Sequence, residues 1–310
     1  MFSSFFGKTK PINYIVLSVF LFLFYLLDLL FQVDGKIGEV DIAVELMAFV
    51  ALLLSIFVIN QIVRTEKVTD FNSYAMLFFV LLIVAFSDVL MDKKAIFANL
   101  FLLIAVWRLL AIKSIRNVKH KVFDGAFLIT VASLFYDWAL IFMILVFVVI
   151  NVYDRKTFKN WLVPFLAMIT VFILSFTVLK LLNALSFYKE HYRFTFDFLN
   201  DGFFTRPDII KFLIYASLIF VVVFFVFLRT RKIGGGKLIV LRLVFLAFIF
   251  ATTITLFKSG NASPVLLTFF PASVFLANYL EGIKRAKLQE LVTGLCLGIS
   301  LLLFLLELNL

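Results

Sequence analysis

The chain has 310 residues, of which 64% are hydrophobic and 15% charged, with a mean hydropathy of +1.12 and a formal net charge of +10. Soluble globular chains carry about 25% charged and about 45–50% apolar residues, so this composition excludes a water-soluble globule and makes lipid the solvent. One cysteine (Cys296) excludes an intrachain disulfide and a cysteine-based metal site, and two distant histidines (His120 and His191) argue against a histidine-rich metal centre or haem pair.

Lys8 and Lys10 precede an apolar run from Pro11 to Val33. That run is too long for a signal h-region and lacks a small-residue cleavage site, so it reads as a retained first membrane helix. Phe2, Phe5 and Phe6 are expected in the headgroup layer before it. A helix needs about 20 apolar residues to cross about 30 Å of hydrocarbon. On that rule the chain is all-α and polytopic, with about eleven transmembrane helices. The expected spans lie near 12–33, 42–63, 73–91, 95–112, 122–137, 138–153, 161–184, 209–228, 238–257, 263–281 and 290–308. Residues 1–310 then form a single transmembrane domain, and 185–208 is its sizeable outer loop, expected to lie in the membrane interface. Gly234, Gly235 and Gly236 make a loop turn beside Lys237. They lack P-loop spacing, and without a nucleotide-binding segment an ATP-driven pump is excluded.

The basic residues orient these spans. With the N-terminus inside, the inner segments hold Lys8, Lys10, Arg64 and Lys67, then Lys113, Arg116, Lys119 and Lys121, then Arg155, Lys156 and Lys159. Further inner clusters are Arg229, Arg231, Lys232 and Lys237, and Lys284, Arg285 and Lys287. The outer segments hold only Lys36, Lys93, Lys94, Lys189, Arg193, Arg206 and Lys258. The positive-inside rule therefore predicts a cytoplasmic N-terminus and a periplasmic C-terminus in a bacterial inner membrane. It also accounts for the net charge without nucleic acid.

Spans five and six are anomalous. Each has about 16 residues, or about 24 Å at about 1.5 Å per residue, which falls short of a crossing. The turn at Tyr136, Asp137 and Trp138 is expected below the outer surface, covered by protein or lining a wet cavity. Asp137 is thus read either as a turn residue at the headgroups or as a carboxylate facing an outer-leaflet cavity.

Other charged positions have two readings as well. Arg108, Arg242 and Lys180 lie near helix ends and snorkel to the interface. Asp28, Asp34, Glu39, Asp41 and Glu45 cluster around Lys36 at the first outer hairpin. Such a cluster suits a divalent metal or a general base, and equally a solvated acidic loop. Asp88 and Asp92 are loop-edge acids, and Asn99 and Asn278 read as helix bridges. The aromatic segment 185–208 is either an interfacial anchor or a lid over a lipid-facing cavity, with His191, Arg193 and Arg206 available for a phosphate.

The opening SSFFGKTKPINY, the central VFDGAFLITVASLFYDWALIFMILVFVVINVYDRKTFKNWLVPFLAM and the late FFPASVFLANYLEGIKR resemble a family of uncharacterised polytopic inner-membrane proteins of Gram-negative bacteria. More distantly, the layout is similar to the GT-C class of polyprenol-phosphate-sugar glycosyltransferases, with short central hairpins and a Phe-Pro near a late span, here Phe270-Pro271. That resemblance implies a GT-C-like helical core and a catalytic acid in the first outer loop, where Asp34 and Asp41 stand. The loop here is far shorter than is usual in that class.

Three functions follow as expectations. The first is cell-envelope biogenesis, handling a polyprenyl-phosphate-linked substrate in a GT-C-like cavity; Asp34, Asp41 and Asp137 are then the catalytic candidates, and His191, Arg193 and Arg206 bind substrate. The second is a non-enzymatic subunit of a larger inner-membrane complex for secretion, motility or envelope assembly. The third is a transporter, disfavoured because no inverted repeat or matching broken helices are evident. The expected partners are membrane lipids and other inner-membrane proteins.

Overall fold

The computed structural model describes residues 5–32, 41–233, 235–257 and 264–308. Among them the secondary structure is helical throughout and no strand forms. The helices are α1 (Pro11–Gln32), α2 (Ile42–Glu66), α3 (Tyr74–Ala85), α4 (Lys93–Leu110), α5 (Val118–Ser133) and α6 (Met143–Tyr153). They continue as α7 (Phe158–Leu181), the short α8 (Phe187–His191), α9 (Pro207–Ile233), α10 (Gly236–Phe257), α11 (Phe269–Glu281) and α12 (Ala286–Leu308). A backbone in hydrocarbon must satisfy its own N–H and C=O groups, which is why runs of Leu, Phe, Ile and Val this apolar fold as helices here.

Side-chain contacts tie the segments together at two ends. At the basic end, Asn13 Nδ2 donates to Ser73 Oγ (2.7 Å), Asn72 Nδ2 donates to Glu281 (2.6 Å) and Lys113 pairs with Glu66 (3.0 Å). At the far end, Tyr25 donates to Glu45 (2.5 Å), Lys211 pairs with Glu307, and Trp138 Nε1 donates to the Thr195 carbonyl (3.0 Å). The chain runs back and forth between them.

Each expected span contains helix among the described residues. Among the described residues, eight helices are long and apolar enough to cross a membrane. The other three segments contain α3, α5 and α6, with 12, 16 and 11 residues. The sequence foresaw the shortness of α5 and α6 but not that of α3. Its apolar run continues to Met91, yet the α-helix stops at Phe86. The cause is polar and distant in sequence. Glu307 accepts hydrogen bonds from Ser87 N (2.8 Å) and Ser87 Oγ (2.5 Å), and Lys211 donates to the Ala85 carbonyl (2.6 Å). These groups satisfy the helix end inside the protein, so the chain departs as a 3-10 turn over Ser87–Leu90.

α3 lies at the centre, against α1, α2, α11 and α12, and nearly all its residues are buried. α11 is its main partner and is also mostly buried. α4 packs on α2 and α5. The neighbouring α5 carries Gly125, where a Cβ would stand 2.7 Å from Leu109 Cδ2 and 2.9 Å from its Cγ. Leu109 is 1% exposed and has no room to swing away. Small residues let membrane helices approach closely, and van der Waals packing is their main attraction. Gly125→Val is expected to lower stability by about 1–3 kcal/mol through overpacking, read as a drop in thermal unfolding temperature in detergent.

The periphery is apolar outward. α1, α7 and α12 expose Val19, Phe22, Ile169, Phe172, Leu302 and Leu305, among others. Lipid tails cover such faces at no penalty.

Candidate functional site

The α5–α6 hairpin builds the far-end site. α5 ends at Ser133, and Asp137–Phe142 forms a 3-10 turn before α6. A 3-10 turn rises about 2.0 Å per residue, so six residues add about 12 Å to the roughly 16 Å of α6. The returning arm therefore reaches further than its residue number implied, while α5 stays near 24 Å.

The segment after α7 folds over this turn. His191 Nε2 lies 2.7 Å from the Ser133 carbonyl, and the hydroxyls of Ser133 and Tyr192 are 3.0 Å apart. Trp138 packs edge-on against Phe194, Phe196 and Phe257, with centroids 4.7–5.1 Å apart. The turn is thus covered by protein. Burial pushes the Tyr192 hydroxyl above its usual pKa, against the lowering effect of its bond to Ser133. It remains a neutral donor and acceptor across ordinary pH.

Beside the turn lies a groove between α5 and α7. Its volume is about 350 Å³, and its walls are Phe127, Val131 and Leu134 from α5 and the residue after it, with Val171, Leu174, Ser175, Val178 and Leu179 from α7. Phe187 of α8 closes it. Ser175, its one hydroxyl, is engaged at 2.8 Å by Tyr188. An apolar cavity lacking polar partners does not hold ordered water, so hydrocarbon is its natural filling. Lys180, Lys189 and Arg193 are exposed on the segments next to its closed end.

The sequence-derived candidates fall in different places. Asp137 is 1% exposed, and its carboxylate accepts the Trp138 N–H (3.0 Å). Asp41 is exposed and caps α2, accepting from Ala43 N (3.1 Å) and Val44 N (3.3 Å). Asp34 lies outside the described residues, with Lys36 and Glu39. Arg206 pairs with Asp208 (2.7 Å) at the start of α9 and does not line the groove. Asp137 lies in the covered turn, and His191 reaches the Ser133 carbonyl four residues before it. Glu45 leaves the acidic hairpin to pair with Lys93 (2.7 Å) beside Tyr25. Among the described residues, no group of three or more His, Cys, Asp or Glu is placed to hold a metal ion. Asn278 does bridge, donating to the Val68 carbonyl (2.9 Å).

Sequence reasoning missed Ser133, Ser175 and Tyr188, which join the loop to α5 and α7. Hydroxyls inside apolar spans were the available signal. It also missed the pairing of Lys211 with Glu307, opposite charges within apolar spans that no local pattern brings together.

Long apolar helices, lipid-compatible outer faces and internally satisfied helix ends define an all-α, multi-pass membrane protein. The chain belongs to a family of unknown function, DUF6427, whose pattern matches residues 5–309. No curated protein and no solved structure matches it.

Proposed function

We propose that the chain is an inner-membrane protein of cell-envelope biogenesis that holds the hydrocarbon chain of a polyprenyl-phosphate-linked lipid in the α5–α7 groove. One observation carries this reading: apart from Ser175, whose hydroxyl is engaged by Tyr188, the groove is lined by apolar side chains, and Phe187 lies at the end where the segment after α7 begins. His191 fixes that segment on α5, and the exposed Arg193 beside it supplies a cation for phosphate. The layout similarity to GT-C enzymes points to the same class of lipid. In this reading the basic end faces the cytoplasm, so the groove opens to the outer leaflet.

Holding the lipid, rather than transforming it, is what the groove supports. Asp137 is buried and engaged by Trp138, which gives it the role of fixing the turn. Asp41 caps a helix.

The test is mass spectrometry of lipids that co-purify with the native chain. A polyprenyl phosphate lipid is expected with wild type. Val171→Trp, which fills the groove, is expected to reduce it by about tenfold, a loss of about 1.4 kcal/mol. Equal retention by both proteins refutes the groove as its site. Stoichiometric recovery of another membrane protein, with no such lipid, favours a structural subunit instead.

A further inference from the structure

A second cavity lies at the opposite, basic end. It has about 410 Å³ and opens between the last turns of α9 and α11 and the start of α10. That volume is within the range of about 300–1,000 Å³ seen for small-ligand pockets. Its charged lining is balanced: Arg229 and Lys237 against Asp70 and Glu281. Phe225 and Tyr279 form its apolar side, with ring centroids 6.5 Å apart, and both are exposed toward the membrane-facing surface.

These charges are poorly spent on one another. Lys237 Nζ is 3.5 Å from Asp70 Oδ1 and 4.0 Å from Glu281 Oε2, longer than a charge-assisted hydrogen bond. Glu281 uses Oε1 to accept from Asp70 N (3.0 Å) and Asn72 Nδ2 (2.6 Å), leaving Oε2 with acceptor capacity. Its side chain is only 8% exposed. Among the described residues, Arg229 has neither a carboxylate nor a hydrogen-bond partner. Its guanidinium lies across the backbone of Gly282, with Nη1 2.1 Å from where a Cβ would stand.

We propose that this cavity binds the headgroup of a primary-amine zwitterionic phospholipid, a phosphatidylethanolamine, at the basic end of the bundle. Arg229 and Lys237 receive the phosphate, and Asp70 and Glu281 receive the ammonium N–H groups. Phe225 and Tyr279 lie along the glycerol and the first methylenes. A purely anionic headgroup, or a free phosphate, would leave two carboxylates facing its negative charge. A trimethylammonium headgroup could not donate to them.

Native mass spectrometry of the delipidated full chain tests this, with phosphatidylethanolamine, phosphatidylglycerol and phosphatidylcholine of identical acyl chains as probes. Phosphatidylethanolamine is expected to bind best. Losing one charge-assisted hydrogen bond in Arg229→Gln or Lys237→Gln is expected to weaken it about tenfold. Asp70→Asn, at a side chain that is 75% exposed and therefore safe for folding, is expected to erase much of its lead over phosphatidylglycerol. Equal binding of all three lipids overturns the proposal, as does unchanged binding in both Arg229→Gln and Lys237→Gln. Inorganic phosphate that displaces the lipid at equal concentration would show a free-anion site and overturn the lipid assignment.

Discussion

Glu307→Ala is expected to destabilise the protein by about 3 kcal/mol, because removing one partner of a largely buried ion pair leaves the other charge uncompensated. Glu307 and Lys211 have side chains only 16% and 23% exposed. The loss extends beyond the pair. Glu307 also accepts from the backbone and hydroxyl of Ser87, so the alanine variant orphans the donors that end α3. The double variant Glu307→Leu with Lys211→Met is expected to recover most of the stability, since apolar side chains of similar size replace a buried pair well. Thermal unfolding in detergent of the four members of the cycle gives the coupling directly. Equal destabilisation by the single and double variants would show that the pair does not hold the end of α3.

Phe275→Ala is the second large effect. Phe275 is fully buried on α11, packed against Phe227 of α9 (5.8 Å between centroids) and Phe245 of α10 (6.2 Å). A soluble core loses about 3–5 kcal/mol for such a truncation. In a membrane the unfolded reference keeps the ring in hydrocarbon, so the transfer part shrinks and the lost packing remains. The expected loss is therefore about 2–3 kcal/mol, reaching below the soluble range of about 3–5 kcal/mol. Phe224→Ala, one turn before Phe227 on α9 and 60% exposed, is expected to change stability by no more than about 0.5 kcal/mol. Unfolding titrations of both variants in the same detergent check the contrast.

These two sites also mark what could be read in advance. The long spans were legible because a run such as Ile42 to Val63 has no other stable fate in lipid. The shortness of the α5–α6 hairpin followed from basic residues at Lys121 and Arg155 and simple length arithmetic. The early end of α3 did not follow. Its terminator is Glu307, 220 positions away, and nothing local in Phe86-Ser87-Asp88 announces that partner. The acidic first hairpin misled for a related reason. Its residues have separate roles in the fold: Asp41 caps α2, while Glu45 pairs with Lys93. The groove was illegible because its walls use the same letters as lipid-facing surfaces. Val131 and Val178 line it, yet Val178 is an exposed apolar residue just as Ile173 is, which does not line it. Which apolar residues face a neighbouring helix across a gap is set by tertiary packing, not by local pattern. The aromatic character of 185–208 was legible; that Phe194 and Phe196 pack on Trp138, and that Ser133 and Ser175 anchor the segment, was not.

The central claim is that the α5–α7 groove holds a lipid chain beneath Phe187. An experimental density map of the native chain in a lipid nanodisc tests it most directly. Continuous rod-shaped density is expected between Val131 and Val178, running to the covered turn near His191. A groove closed by direct contact of α5 with α7, with no room for a chain, would contradict it.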